Sequence, residues 1–327
     1  SSGLQNRVSS VRVALPLPEK HEILCAFKVF RAFSFVMGTM RSAKTANLEK
    51  KGTAMGKQIL LINDLPGYGK VALAAMLPIL SQMGHHVFNL PTALVSNTLD
   101  YGKFDILETT DYLSNTIRVW DELGFSFDAV STGFIVSERQ AQLVADYCQT
   151  CKEKGTVVFV DPIMGDEGKL YNGITEKTVG HMRKLIAASD YMVPNYTEAV
   201  YLAGEEYRPQ GVSKEQAKVL VEKLRSQGAG SVVITSAKVE GQDTVIVCER
   251  NSDTLDFLPF EMLPVRFPGT GDIFSALFMG RILSGVSLVE STQCAMDITK
   301  KLIELSRHLP DKYKGIPIEG FLEVLKF

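Results

Sequence analysis

Thr156-Val157-Val158-Phe159-Val160-Asp161-Pro162-Ile163-Met164-Gly165-Asp166 is the stretch on which the fold turns. Its first five residues are mostly β-branched or aromatic and show no polar alternation, the pattern of a strand covered on both faces. Asp161-Pro162 then ends the strand, because proline donates no backbone N–H and pushes its predecessor out of the helical region.

The same unit recurs on either side. Upstream, residues 58–64 (QILLIND) form a second apolar run, followed by Gly67 and Gly69 and a helical pattern over 71–83 that stops at Gly84. Residues 87–90 and 129–131 predict short strands, and 109–123 a helix ending at Gly124. Ser137-Glu-Arg-Gln140, Ser213-Lys-Glu-Gln216 and Ser287 to Glu290 each predict a capping box at a helix start. Downstream lie a helix over 175–188, strands over 191–193 and 231–235, and an antiparallel pair near 244–249 and 254–261. A helix over 272–283, another from 287 and a short C-terminal helix complete the pattern. Strands alternating with helices of this length imply βαβ units. The expected class is α/β: a three-layer αβα sandwich around a central, mostly parallel sheet.

The 327 residues are 45% apolar and 22% charged, a globular composition. The net charge of −2 argues against a nucleic-acid binder with a basic footprint. It is unevenly spread. Residues 1–54 carry nine Lys/Arg and three Glu, a net of +6, leaving 26 basic and 34 acidic residues, a net of −8, for 55–327. The expectation is a basic N-terminal extension over 1–54, a tag or leader outside the fold, and one domain over 55–327. No apolar run is long enough to span a membrane. The five cysteines, Cys25, Cys148, Cys151, Cys248 and Cys294, are odd in number and scattered. They make no disulfide framework and suit a reducing cytoplasm. Cys148-Gln-Thr-Cys151 has redox spacing but falls within a helical pattern, so these thiols read as core.

In open α/β sheets ligands bind at the carboxyl ends of the strands. Several clusters sit there: Asn63-Asp64 with Gly67-Tyr68-Gly69, Asp161 to Asp166, Pro194-Asn195-Tyr196-Thr197-Glu198, and Thr235-Ser236. Pro268-Gly269-Thr270-Gly271-Asp272 opens a very apolar helix. Glycines at a helix N-terminus let an anion approach unpaired N–H groups, and Asp272 beside them can take a proton from an attacking hydroxyl. Asp161, Asp166 and Glu198 supply the oxygen ligands that Mg²⁺ uses, often through water. No GxxxxGK[ST] loop occurs, and Gly67-x-Gly69 lacks the third glycine of a dinucleotide fingerprint.

Taken in order, these clusters resemble the ribokinase-like superfamily, and within it the pyridoxal/pyridoxamine (vitamin B6) kinases, from about residue 58 to the C-terminus. Gly269-Thr-Gly-Asp272 marks the superfamily. Asp161-Pro-Ile-Met-Gly-Asp166, Gly168-Lys-Leu-Tyr171 and Pro194-Asn-Tyr-Thr-Glu-Ala199 are more specific. The resemblance implies transfer of the ATP γ-phosphate to the 5′-hydroxymethyl of a B6 vitamer. Asp272 is then the general base, and Gly269, Thr270 and Gly271 line an anion hole. Asp161, Asp166 and Glu198 organise Mg²⁺ and the phosphates, and Asn195, Thr235, Ser236 and Tyr171 meet the nucleotide. Asp64, Ser96, Leu99 and Phe134 are implied around the pyridine ring. Activation by K⁺ and homodimerisation are further implications of the family.

One departure bears on the substrate. Where many relatives carry Ser-x-His-Thr-Gly, this chain has Ser96-Asn97-Thr98-Leu99-Asp100. The added carboxylate of Asp100 points toward an aminomethyl group. The alternatives are the hydroxymethylpyrimidine (phosphate) kinases of thiamine synthesis and, more remotely, a catalytically silent ligand-binding protein. The latter sits poorly with the intact Gly269–Asp272 cluster.

Overall fold

The computed structural model describes residues 56–171 and 174–325. The extension expected over 1–54 lies outside the described residues, as does Cys25.

The chain runs β1 (Gln58–Tyr68), α1 (Ala72–Gln82), β2 (His86–Asn97), a 3₁₀ turn (Leu99–Tyr101), β3 (Ile106–Glu108), α2 (Thr110–Glu122), β4 (Ala129–Thr132) and α3 (Glu138–Glu153). It continues through β5 (Val157–Val160), the hairpin β6 (Gly165–Asp166) and β7 (Lys169–Leu170), α4 (Glu176–Ala188), β8 (Tyr191–Met192), α5 (Tyr196–Ala203) and α6 (Lys214–Ser226). Then come β9 (Ser231–Val239), β10 (Gln242–Cys248), β11 (Asp256–Pro259), α7 (Thr270–Leu283), α8 (Leu288–Ser306) and two 3₁₀ turns, Ile318–Gly320 and Leu322–Leu325.

Nine strands form one sheet in the order β11-β10-β9-β8-β5-β4-β1-β2-β3. The pairs from β2 through β9 are parallel; β2–β3, β9–β10 and β10–β11 are antiparallel. Period-two alternation divides the core. Leu60 and Ile62 of β1 pack with α2, α3, α4, α5 and α6 on one face. Ile59 and Leu61 pack with α1, α7 and α8 on the other. The expected three-layer αβα sandwich is therefore present.

From β1 the chain turns to α1 on one face, and from β4 to α3 on the opposite face. The crevice between the carboxyl ends of β1 and β4 is thus the point where the strand order reverses, the place such sheets offer a ligand.

Several local expectations shift. β1 continues four residues past Asp64 and β2 seven past Leu90, because the two pair through a bulge between Asn63 and Leu65. The Ser137 box is half-formed: Ser137 accepts the Gln140 N–H, but the Gln140 side chain takes the Val136 N–H and donates to the Thr92 carbonyl. At Ser287 the Glu290 carboxylate accepts from the Ser287 hydroxyl. The Ser213 box is complete. The expected C-terminal helix is two 3₁₀ turns. Cys148, Cys151 and Cys248 are free, buried thiols, and burial raises each thiol's pKa.

Candidate active site

The carboxyl ends of the strands open into a cleft of about 1690 Å³. Every expected site residue lines it except Ser96. The exception follows from the longer β2. Side chains alternate along a strand, so Val95 and Asn97 face the cleft while Ser96 faces away. Its hydroxyl donates to Asn97 Oδ1 at 2.7 Å and accepts the Asp105 N–H at 2.8 Å.

Asp272 sits in the first turn of α7, where a carboxylate is favoured by the helix dipole. Its two oxygens are held separately: Ala72 N–H donates to Oδ2 at 2.8 Å, and Asn63 Nδ2 donates to Oδ1 at 3.3 Å. Burial raises its pKa to about 6, against those two donors, which favour the charged form. Gly269 caps α7 at φ +82°, and a Cβ there would lie 2.7 Å from the Lys70 carbonyl. A Cβ on Gly271 would meet open space. No side chain caps this helix start, so its first N–H groups have no side-chain acceptor, the arrangement in which a helix N-terminus can take an anion.

Two further carboxylates share the floor. Asp64 is raised to about 7 by burial and by the charge of Asp272. Asp161 is raised to about 7 by burial and then by Asp272, while the Ser275 hydroxyl donates to its Oδ2 at 2.9 Å. Such mutual repulsion is what a bound cation relieves.

Glu198 is pushed well above its ordinary range by burial and by Asp161. Its oxygens are already engaged: Met164 N–H donates to Oε1 at 3.0 Å and Asn195 N–H to Oε2 at 2.8 Å. Asn195 Oδ1 accepts the Glu198 N–H at 2.9 Å, completing a capping box at α5. Asn195 Nδ2 donates to the Gly165 carbonyl at 2.8 Å. These two residues therefore clamp the Pro194–Glu198 turn to the β6–β7 hairpin that carries Asp166 and leads to Tyr171. Among the described residues, no three His, Cys, Asp or Glu side chains converge as a ready metal cage. Asp161, Asp166 and Glu198 all line the cleft, and a cation held among them partly through water needs no such cage.

Thr235 and Ser236 sit at a bulge in β9, where the register with β10 shifts between Thr244 and Ile246. Ser236 holds φ +54°, which turns the strand's end toward the cleft. Phe134 is half-buried at the end of β4, and Leu99 and Asp100 lie on the 3₁₀ turn that roofs the cleft mouth. That roof is tied down by the C-terminal segment: Thr98 Oγ1 donates to the Tyr313 carbonyl at 2.6 Å, and Tyr101 OH donates to Asp311 Oδ2 at 2.6 Å.

Asn63 and Asn97 fall within the stretches quoted above but were given no role there, and Ser275 and Arg266 fall outside them. Asn63 left a trace in Gly133, where a Cβ would collide with the Asn63 amide.

The chain is similar to known kinases. The model of the phosphomethylpyrimidine kinase family matches residues 69–316. A pyridoxal kinase PdxY from Rubrobacter xylanophilus is 30% identical over 248 residues, covering 72% of this chain and 83% of that protein. A Bacteroides thetaiotaomicron protein, described as a phosphomethylpyrimidine kinase and crystallised with pyridoxal, superposes with a TM-score of 0.77 at 33% identity, covering 83% of this chain and 96% of that one. A pyridoxal kinase from Lactobacillus plantarum superposes with a TM-score of 0.74 at 27% identity, covering 82% and 96%.

Proposed function

The chain belongs to the phosphomethylpyrimidine kinase family, whose ribokinase-like fold it shares with the pyridoxal kinases, and on that premise we propose that it phosphorylates B6 vitamers. It is an enzyme, a pyridoxal kinase, and it uses ATP as co-substrate. The observation that carries the reading is the pairing of Asp272 with an uncapped, glycine-started helix on the floor of one cleft.

In this reading the 5′-hydroxymethyl group of the vitamer approaches Asp272. The carboxylate accepts the hydroxyl proton as the oxygen attacks the γ-phosphorus, and ADP leaves with the bond it held. The N–H groups at Gly269, Thr270 and Gly271 take up the charge on the transferring phosphoryl group. Asn195, Thr235, Ser236 and Tyr171 face the nucleotide. Asp64, Leu99 and Phe134 surround the pyridine ring. Bound Mg²⁺ would neutralise phosphate charge, and Asp161 and Asp166 would hold it through water, with Glu198 shaping the turn beside it. The mutual repulsion of the floor carboxylates supports this fit. K⁺ activation belongs to the same reading and is checked by replacing K⁺ with tetramethylammonium in the assay.

The partners in this reading are small molecules. No helix among the described residues is long and apolar enough to cross a bilayer. Free, buried thiols fit a cytoplasmic setting. A homodimer is supported by a row of exposed leucines in register across three strands: Leu65 pairs with Leu94, and Leu94 with Leu107. Sedimentation at micromolar concentration tests it.

A second reading, hydroxymethylpyrimidine phosphorylation, is favoured by the description of the matching family. An ATP-consumption panel over pyridoxal, pyridoxamine, pyridoxine and hydroxymethylpyrimidine separates the two.

A further inference from the structure

Asn63 is a buried polar residue, 3% exposed, at the crevice between β1 and β4. Its side chain touches three separate parts of the site. Oδ1 accepts the Phe134 N–H at 2.8 Å and the Asp64 N–H at 3.0 Å. Those two backbone donors dictate which way the amide points, so Nδ2 must face the other side. There it donates to Asp272 Oδ1 at 3.3 Å and lies 3.7 Å from Met76 Sδ. One amide thus links the end of β1, the loop after β4 and the first turn of α7.

The fold makes room for this amide at a specific place. Gly133 follows β4 directly, and a Cβ on it would collide with the Cγ, Oδ1 and Nδ2 of Asn63. Gly133 N–H also donates to the Ile62 carbonyl at 2.9 Å, which pins the two strand ends together. With Ala72 N–H fixing Oδ2, the Asn63 amide is what removes the remaining freedom of the Asp272 carboxylate about its terminal torsion.

We propose that Asn63 is a positioning residue, acting through Asp272 to orient the carboxylate that accepts the substrate's proton. The inference rests on the reading of Asp272 as general base. An aspartate at position 63 keeps the shape and the acceptor for Phe134 and Asp64 but removes the donor to Asp272. A serine withdraws the amide donor, its hydroxyl ending one bond short of the Nδ2 position, without burying another carboxylate.

The test is steady-state kinetics of the full chain with Asn63→Asp and Asn63→Ser, using MgATP and pyridoxal, beside thermal denaturation and Asp272→Ala. The expected result is a kcat lower by about 10- to 100-fold, the scale of a misplaced catalytic group. In Asn63→Asp, which keeps the acceptor for Phe134 and Asp64, KM for both substrates stays within about twofold. A folded variant with near-normal kcat, or a loss carried by KM, overturns the proposal. Failure of both variants to fold assigns Asn63 to the scaffold and overturns it as well. Asp272→Ala is the separate arm: high turnover there refutes the base itself, whatever the Asn63 variants do.

Discussion

Ala72 presents its N–H to Asp272 from a left-handed backbone, at φ +46°, over a distance of 2.8 Å. A non-glycine residue in that region costs about 1–2 kcal/mol and persists only where its surroundings impose it. The surroundings here are tight: Gly269 and Gly315 both pack against the Lys70 carbonyl, and Lys70 N–H donates to the Lys314 carbonyl at 2.6 Å. The loop from β1 to α1 is therefore bent so that it meets the carboxylate. With its charge so held, Asp272→Asn is expected to lower kcat by about 10²–10⁴-fold, the usual contribution of a general base, while ATP binding persists. Calorimetric titration with a non-hydrolysable ATP analogue checks the binding; lost affinity would make Asp272 a binding residue instead.

The same carboxylates set a pH dependence. A base acts when ionised, and burial raises Asp272 to about 6 and Asp161 to about 7. The log of kcat/KM for the vitamer should rise with pH through that interval and level off above it. A flat profile from pH 5 to 8 contradicts the assignment.

Stability runs the opposite way. Asp64 has a folded pKa of about 7, raised from 3.8, so its contribution is complete below the unfolded value and is lost as pH rises through about 7. Asp64→Asn removes that loss. Its Tm should exceed that of the parent chain at pH 8 by several degrees and match it near pH 4, when ligand-free protein is followed by differential scanning calorimetry. Equal gains at both pH values would mean that charge at position 64 is not the cause.

The two glycines of the proposed anion site should part company. Gly269 has φ +82° and no room for a Cβ, so Gly269→Ala is expected to cost about 1–3 kcal/mol of stability. Gly271 faces open space inside the cleft. Gly271→Ala should leave stability within about 0.5 kcal/mol. Its methyl group intrudes where the phosphoryl group must sit, so kcat should fall by about tenfold or more. Urea unfolding and steady-state rates on both variants give the comparison; a stable, fully active Gly271→Ala would rule out close approach at that point.

The cleft roof gives a substrate-side expectation. Tyr101 OH donates to Asp311, and its ring meets those of Tyr68 and Tyr313. Tyr101→Phe or Asp311→Ala should raise the vitamer KM about fivefold, the scale of one net hydrogen bond, with the ATP KM unchanged. The double variant should be no worse than Asp311→Ala alone, which loses the Tyr101 bond and the Tyr313 N–H bond at 3.2 Å together. Additive losses would show that the two residues act separately.

Much of this architecture could be read in advance, for identifiable reasons. Thr156–Val160 and Ser231–Ile234 are runs that only a doubly covered strand explains, and the order of strands and helices then implied the sandwich. The carboxylates were legible because they follow such strands. Ser96 was misplaced because β2 runs on to Asn97, and its continuation depends on pairing with β1 beyond the bulge at Asn63, a tertiary property. Glu198 was legible as an acid after a strand, but its two bonds to backbone N–H groups were not, because they depend on the approach of the Met164 loop. Asn63 was hidden for the same reason: its partners Phe134 and Asp272 lie 71 and 209 residues away.

The central claim is that this cleft phosphorylates a B6 vitamer. Its most direct test is incubation of the full chain with MgATP and, in parallel, pyridoxal, pyridoxamine, pyridoxine and hydroxymethylpyrimidine, with the phosphorylated product identified by mass spectrometry. The expected result is a vitamer 5′-phosphate formed with a kcat/KM well above that for hydroxymethylpyrimidine, and lost in Asp272→Ala. Preferred phosphorylation of hydroxymethylpyrimidine, or no phosphorylated product from any vitamer, would contradict it.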